Sequence, residues 1–155
     1  MGEVTDFASG IIKEGRLLGL DLGTKTIGLA LSDVTRLIAT PLETIKRTKL
    51  KADGERLISI IRTHHITGLV LGLPVNLDGS DGPRAQSTRA FARNIAGLYG
   101  AELPLILLWD ERLTTQAAER VLLEADQSRR RRAEVIDKMA ASLILQSALD
   151  RMRRL

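Results

Sequence analysis

The chain has 155 residues and a mass of 17.0 kDa. This is the size of one ordinary domain, so a protein built from two lobes is excluded. Hydrophobic residues make up 44% of the chain and charged residues 27%, which is typical of globular proteins and excludes disordered or fibrous classes. The net charge of +4 suits an anionic partner.

Two residue counts narrow the chemistry further. The chain has no cysteine, which excludes disulfides, thiolate catalysis and cysteine-ligated metal sites. Its two histidines, His64 and His65, are adjacent and point in different directions on a helix or strand, which argues against a histidine metal centre or a Ser-His-Asp triad. Carboxylates must therefore carry any metal.

The sequence shows no membrane or export signal. No apolar run approaches the ~20 residues that span a bilayer, and the N-terminus lacks the charged start and apolar core of a secretory leader. We therefore expect a cytoplasmic protein without a membrane partner.

The first half of the chain predicts three strands in succession. Residues 1–15 lack periodicity and are predicted to be an N-terminal extension. The short apolar runs Arg16–Gly23 and Ile27–Asp33 predict a β-hairpin. The segment Arg36–Lys46 predicts a third strand, in which Pro41 indicates a bulge or an edge position.

The second half predicts alternating helices and strands. Gly68–Leu73 is continuously apolar, which is typical of a central strand covered on both faces. The predicted elements are a helix at Asp53–His65 with Asp53 as its N-cap, the strand Gly68–Leu73, a turn at Val75–Pro83, a helix at Arg84–Tyr99, a strand at Leu105–Trp109, a helix that includes Ala117–Leu123 and is capped by Thr114 or Thr115, a loop at Ser128–Arg132 and a helix at Ala133–Met152.

This order of elements predicts an α/β fold for residues 16–155, taken as a single domain. An antiparallel three-strand meander followed by two parallel strands that alternate with helices indicates one mixed five-stranded sheet with helices on both faces. Such sheets commonly bind ligands at the carboxyl ends of their strands. Asp21 and Glu111 lie at or near the ends of two of the apolar runs.

Asp21 lies within an otherwise apolar strand, where an unpaired carboxylate would be costly to bury. Two interpretations are open. Asp21 either caps the following turn through the amides of Gly23 and Thr24, or it binds a hard cation such as Mg²⁺ or Mn²⁺.

Asp110 and Glu111 follow the second buried strand. Strand alternation places Glu111, and not Asp110, on the side of Leu107 and Trp109. Glu111 is therefore the favoured functional acid, because an acid like Asp110 is common before a helix N-terminus.

Asp137 lies on a small apolar helix face. Helical spacing makes its neighbours Ala140, Ala141, Ile144 and Ala148. Such a face can pack close to a sheet and deliver a carboxylate to the sheet's end. The alternative is a first-turn aspartate favoured by the helix dipole.

Positive charge is concentrated at the C-terminal end. Residues 129–155 carry eight Lys or Arg and three acids, a net charge of +5. The four consecutive arginines there are predicted either to contact phosphates or to form a solvated loop; they are Arg129, Arg130, Arg131 and Arg132.

Two further features are weaker signals. The glycine-containing segment Gly72–Gly79 can present backbone amides to an anion. Arg84, Arg89 and Arg93 recur at helical spacing and are interpreted as a solvated helix face and not as a second phosphate track.

Four segments carry a recognisable pattern: GLDLGTKTIGLALSD at 19–33, GLPVNLDGSDGPRAQSTRAFA at 72–92, DERLTTQAAE at 110–119 and IDKMAASLILQSALD at 136–150. In this order they resemble the YqgF/RuvX family and cover nearly all of the chain after residue 15. Members of that family look like RNase H-fold nucleases and are described as Holliday-junction resolvases or nucleases that process pre-16S rRNA.

The resemblance implies an RNase H-like fold and Mg²⁺- or Mn²⁺-dependent hydrolysis of phosphodiester bonds. It identifies Asp21, Glu111 and Asp137 as catalytic acids and metal ligands, the same set that burial and alternation indicate. Two cations held by such acids would activate a water and stabilise the leaving oxygen.

Basic residues beside these acids are candidates for holding the scissile phosphate. They are Lys25 next to the Asp21 strand and Arg112 next to Glu111. Family members often carry a basic residue where this chain has Thr26, and Thr26 does not offer that phosphate contact.

We expect a nuclease that processes the 5′ end of pre-16S rRNA. The alternatives are a DNA endonuclease similar to a Holliday junction resolvase and a non-catalytic RNA-binding factor in ribosome assembly. The segment 21–28 also resembles the first phosphate loop of actin-like ATPases, but those proteins need two lobes. Nucleic acid is the expected partner, RNA or branched DNA, and both a monomer and a homodimer are compatible with the sequence.

Overall fold

The computed structural model describes residues 4–11, 15–114 and 129–155, with side chains of the last range described from Asp137 onward. The predicted helix at Ala117–Leu123 lies outside the described residues. The described helices and strands are, in chain order, α1 Val4–Gly10, β1 Arg16–Leu22, β2 Thr26–Ser32, β3 Ala39–Lys46, α2 Leu50–His64, β4 Ile66–Leu73, α3 Pro83–Tyr99, β5 Ile106–Asp110 and α4 Arg129–Arg153.

The five strands form one mixed sheet in the order β3-β2-β1-β4-β5. β1 pairs antiparallel with β2 and β2 antiparallel with β3, whereas β1–β4 and β4–β5 are parallel. This confirms the predicted meander followed by two parallel strands. Both interpretations of Pro41 are also confirmed, because β3 is an edge strand and its register with β2 shifts between Leu29 and Ala30, opposite Pro41.

Helices cover both faces of the sheet. Leu18, Leu20 and Leu22 of β1 belong to a core that includes residues of α2 and α3. On the other face, α4 packs on β1, β2 and β3, through a second core that includes Ile144 and Leu145. Alternation along each strand supplies both cores, since successive side chains point to opposite faces. The small apolar face predicted for the last helix is the surface that lies on the sheet.

Several element boundaries differ from prediction, and at three of them the local structure is informative. β3 begins at Ala39 and not at Arg36, because Arg36 has a left-handed backbone with φ of 60°. α2 begins at Leu50, so Asp53 is not its N-cap; the Asp53 carboxylate instead accepts a hydrogen bond from the Thr48 amide at 3.1 Å. β4 begins at Ile66, directly after the histidine pair that ends α2.

The prediction of a loop at Ser128–Arg132 is wrong for the four arginines. They form the beginning of α4, which starts at Arg129. Arginine is a good helix former, and a run of like charge does not prevent a helix when the following turns are anchored on a sheet.

A short helix lies in the segment predicted to be an extension. α1 spans Val4–Gly10, and its Phe7 is buried in the core on the α4 side of the sheet. The segment lacks periodicity because only Phe7 of the seven helix residues is fully buried, with Val4 packed against the same core. No helix in the described ranges is long and apolar enough to cross a bilayer.

Asp33 organises the connection from β2 to β3. One of its carboxylate oxygens accepts from the amides of Leu37 at 2.8 Å and Ile38 at 2.9 Å, and the other accepts from the Thr35 hydroxyl. These hydrogen bonds lower the pKa of Asp33 from 3.8 to about 2. The bond from the Ile38 amide contributes most and the bond from the Thr35 hydroxyl is the next largest cause.

This lowered pKa predicts a pH-dependent contribution to stability. Because the folded pKa of Asp33 is below its unfolded value, the contribution is present above pH 3.8 and is lost as the pH falls through 2. Denaturant unfolding of wild type and Asp33→Asn should therefore differ at neutral pH and converge in strong acid. A difference that stays constant across that range would contradict the assignment.

Candidate active site

Glycines flank Asp21 on both neighbouring strands. Gly28 is its partner on β2. On the other side, Gly72 follows Leu71, the β4 residue paired with Leu20. Because neither glycine has a side chain, other elements can approach the sheet closely on both sides of Asp21.

The Asp21 side chain points toward α4. It alternates with Leu20 and Leu22, which face α2 and α3, and shares its face with Gly19. A Cβ atom on Gly19 would lie 2.7 Å from Cβ of Leu145 in α4. Asp21 itself is 6% exposed, so its carboxylate lies in the buried layer between sheet and helix.

Asp137 lies over Gly28. The main-chain oxygen of Asp137 is 2.0 Å from the position that a Cβ atom on Gly28 would occupy. A residue of the sheet holds its side chain in place: the Thr26 hydroxyl donates a hydrogen bond to Oδ2 of Asp137 at 2.6 Å. The first described side chain of α4 thus belongs to a residue that lies over Gly28, the β2 partner of Asp21.

Glu111 lies over Gly72 on the other side of Asp21. Its Cγ and Cδ atoms are each 3.3 Å from the position of a Cβ atom on Gly72, which also faces Ile144 of α4. Glu111 directly follows β5 and begins a 3-10 turn, Glu111–Leu113. It therefore lies on the α4 side of the sheet, the side that contains Trp109.

The fold thus brings Asp21, Glu111 and Asp137 to one face of the sheet, at the carboxyl ends of β1 and β5. Their carboxylate oxygens are ligands that suit Mg²⁺ or Mn²⁺. The three acids share a surface but do not form a closed coordination shell. Among the side chains of residues 4–11, 15–114 and 137–155, no three acidic or histidine side chains are grouped so that they could hold a metal ion.

Asp110 has a different role from its neighbour. Its carboxylate accepts from the Arg112 amide at 2.9 Å and from the Arg112 guanidinium at 2.6 Å, which lowers the pKa of Asp110. Arg112 also donates to the main-chain oxygen of Leu77 at 3.1 Å. The Arg112 side chain therefore connects the turn that begins with Glu111 to the loop after β4.

The other predicted phosphate contacts lie around the same end of the sheet or beyond the described side chains. Lys25 is exposed in the turn between β1 and β2, two residues after Gly23. Arg129, Arg130, Arg131 and Arg132 begin α4, eight to five residues before Asp137, and their side chains lie outside the described part.

Sequence comparison identifies relatives of this chain. The sequence model of the RuvX family, described as Holliday junction resolvase, matches residues 15–151. The chain belongs to the RuvX family.

Two relatives illustrate how close this membership is. A protein of Roseobacter denitrificans is 59% identical over 97% of this chain and 92% of its own length. One of Paracoccus denitrificans is 60% identical over 97% of this chain and 93% of its own length. Both carry the name "putative pre-16S rRNA nuclease".

Solved structures show the same fold at low sequence identity. T. thermophilus RuvC in complex with a Holliday junction substrate aligns with a TM-score of 0.55 and 13% identity, over 88% of this chain and 96% of that one. The yeast mitochondrial Holliday junction resolvase aligns with a TM-score of 0.53 and 12% identity, over 97% and 83%. The RuvX-family chain therefore has the RNase H-like fold of these resolvases.

Sequence reasoning did not identify Thr26, Gly28 and Gly72 as parts of this site. Thr26 holds Asp137, and the two glycines leave room for Asp137 and Glu111. A signal was available, because a glycine inside a strand often marks a close approach of another chain segment. At Thr26 this RuvX-family chain uses a hydroxyl that contacts an acid, at a position where the family resemblance suggested a basic residue.

The contact from Thr26 predicts a loss of activity without a loss of fold. In Thr26→Val the side chain keeps its shape but no longer donates to Asp137, so we expect about 10- to 100-fold lower nuclease activity, as for other groups that orient a metal ligand. Thr26→Ser keeps the hydroxyl and should retain most of the activity. Equal activity of the valine and serine variants would show that the hydrogen bond does not position Asp137.

Proposed function

We propose that this protein is a divalent-metal-dependent nuclease that hydrolyses phosphodiester bonds, and that it processes the 5′ end of pre-16S rRNA. The observation that carries the proposal is the placement of three acids from β1, the end of β5 and α4 on one face of the sheet. The name shared by the Roseobacter and Paracoccus relatives supports the choice of substrate.

Asp21, Glu111 and Asp137 are the residues that would hold Mg²⁺ or Mn²⁺. The bound cations supply a more acidic water and neutralise charge on the reacting phosphate. Of the three acids, Asp21 is suited to be the ligand whose position stays fixed, because it is buried in a central strand. Converging carboxylates repel one another, so a cation among them would relieve that repulsion and favour their convergence.

Cations of the protein would bind the phosphates on either side of the reacting bond. Lys25 lies in the turn that follows β1, Arg112 directly follows Glu111 in the chain, and Arg129 to Arg132 begin the helix that carries Asp137. The Arg112 guanidinium is already oriented by its hydrogen bonds to Asp110. These bonds restrict the motion of Arg112 and leave its remaining N–H donors for a phosphate oxygen.

Branched DNA is the second candidate substrate, because the matching family model is described as Holliday junction resolvase. Symmetric cleavage of a four-way junction requires two active sites related by a two-fold axis, hence a dimer. Processing of an RNA end needs a single site.

The experiment compares labelled pre-16S rRNA, an unrelated single-stranded RNA and a four-way DNA junction, each with Mn²⁺, Mg²⁺ or EDTA. We expect metal-dependent cleavage of the rRNA precursor at its 5′ end. Preferred cleavage of the junction would reverse the substrate assignment. Binding of RNA with no cleavage under any condition would contradict the nuclease and favour the non-catalytic assembly factor.

A further inference from the structure

We propose that a basic cavity on the opposite side of the β1 strand end binds a backbone phosphate of the substrate as the nucleic acid leaves the acid site. This inference rests on the proposed nuclease function and deepens it. It assigns a phosphate subsite to Arg47 and Arg84, which the resemblance did not include among the functional residues.

The cavity has the lining expected for an oxyanion. Its volume is about 240 Å³, and among its described lining residues there are two arginines and no acid. The lining residues are Leu22, Gly23, Thr24, Arg47, Pro83, Arg84, Ser87 and Thr88. Two guanidinium groups together with hydroxyl groups are the donors that bind phosphate oxygens. The volume is below the ~300–1,000 Å³ of typical small-molecule sites, which favours one phosphate over a whole cofactor.

Arg47 is held in place before any ligand binds. One of its guanidinium nitrogens donates to the main-chain oxygen of Gly23 at 2.6 Å, and its Cζ atom lies 5.7 Å from the centre of the Phe91 ring. Arg47 forms no ion pair with any acid in the described part of the chain. Its charge is thus oriented by an aromatic ring and a carbonyl, neither of which neutralises it.

Arg84 differs from the other arginines of α3. The guanidinium of Arg89 forms an ion pair with Asp81 at 2.6 Å. Arg84 is exposed, lines the cavity and forms no ion pair among the described residues. Arg93 is also exposed on α3 but does not line the cavity. The sequence predicted one solvated face for Arg84, Arg89 and Arg93. In the structure the three arginines have different surroundings.

The cavity adjoins the acid site through β1. Leu22, Gly23 and Thr24 line it and directly follow Asp21 in the chain. Leu22 faces the α2 and α3 side, whereas Asp21 faces α4. A nucleic acid strand that crosses the carboxyl end of β1 would therefore meet the acids on one side and the two arginines on the other.

The test measures binding of a fluorescently labelled single-stranded RNA in EDTA, so that binding is separated from cleavage. The variants are Arg84→Gln, Arg47→Gln and the double variant, with Arg93→Gln as a control that removes the same charge from the same helix. We expect Arg84→Gln to weaken binding on the order of fivefold at low salt and to reduce the slope of log K against log salt by about 0.7, the value for one phosphate contact on a single strand. Arg93→Gln should bind as wild type does.

Three results would overturn the proposal. The first is wild-type affinity and salt slope in Arg84→Gln, a substitution of an exposed residue that leaves the fold intact. The second is equal weakening by Arg84→Gln and Arg93→Gln, which would indicate a general effect of charge. The third is that inorganic phosphate stabilises the wild-type protein against heat but not Arg84→Gln, while both proteins bind RNA equally. That result would make the cavity a site for free anions.

Failure of this proposal is distinguishable from failure of the nuclease function. Unchanged RNA binding in Arg84→Gln, with metal-dependent cleavage intact, removes the phosphate subsite and leaves the nuclease. Weakened binding in Arg84→Gln, with no cleavage by the wild-type protein, retains the subsite as part of a binding protein.

Discussion

Asp21→Asn is expected to reduce metal-dependent cleavage by at least ~100-fold while the protein folds and binds RNA as wild type does. Loss of a group that only orients a metal ligand costs about 10–100-fold, and Asp21 is proposed as a ligand itself. Asparagine has nearly the same shape and removes a negative charge from a site where Asp21 is 6% exposed. Cleavage kinetics, RNA-binding affinity and thermal unfolding measured on the same preparation separate the three properties.

The control for this prediction is Asp150→Asn, which removes the same charge near the end of α4. Asp150 pairs with the guanidinium of Arg153 at an exposed position, so its loss should leave cleavage unchanged. Cleavage by Asp21→Asn at the wild-type rate would contradict the catalytic assignment. Joint loss of folding and binding in Asp21→Asn would show that Asp21 is a structural residue.

Gly28→Ala is expected to destabilise the fold and to inactivate the site together. The added methyl group would lie 2.0 Å from the main-chain oxygen and 2.5 Å from the main-chain carbon of Asp137. Because the obstructing atoms belong to a backbone and not to a flexible side chain, α4 must move away from β2. We expect a loss of about 3 kcal/mol in the free energy of unfolding, roughly 6–12 °C in Tm for a chain of this size.

Two other glycines provide matched comparisons. Gly97 lies exposed in α3 with no atom within 4 Å of its Cβ position, so Gly97→Ala should be neutral or stabilise the fold by up to about 1 kcal/mol. At Gly72 the nearest atoms belong to the side chains of Ile144 and Glu111. The added methyl group of Gly72→Ala would lie 2.6 Å from the end of the Ile144 side chain and 3.3 Å from Glu111. We therefore expect Ile144 to move and Glu111 to shift slightly, which should reduce activity with a smaller loss of stability than in Gly28→Ala.

The outcome that would contradict this packing is a wild-type Tm for Gly28→Ala, measured by differential scanning calorimetry, together with wild-type cleavage activity. A stable but inactive Gly28→Ala variant would mean that α4 adjusts locally around Asp137. That result would show that the contact between Gly28 and Asp137 positions the acid but contributes little to the stability of the fold.

Much of the fold could be predicted because local patterns and topology agree. Gly68–Leu73 is apolar at every position, as expected for a strand covered on both faces, and it is the buried core of β4. The order of elements also restricts the sheet, because a meander followed by alternating helices and strands has few arrangements. The element boundaries were less predictable, since hydrogen bonds of Asp33 and Asp53 move them by several residues.

For the candidate site, the sequence by itself determined the types of chemistry and the three acids to consider. The absence of cysteine excludes thiol chemistry, and the two adjacent histidines argue against a histidine metal centre or a catalytic triad. A carboxylate in the apolar strand that contains Asp21 demands an explanation. Alternation alone placed Glu111 and not Asp110 on the side of Leu107 and Trp109, and the structure shows that α4 covers this side. These conclusions need only the local periodicity of a strand or helix, which does not depend on distant parts of the chain.

Only the tertiary structure decided which residues make room for the acids and which hold them. Thr26 and Asp137 are separated by 111 positions in the chain, and their hydrogen bond exists because α4 crosses β2. The same crossing gives Gly28 its role, and the meeting of Arg47 with α3 forms the basic cavity. Each contact joins segments whose separation depends on how helices pack on the sheet, and no pattern within one segment encodes that distance.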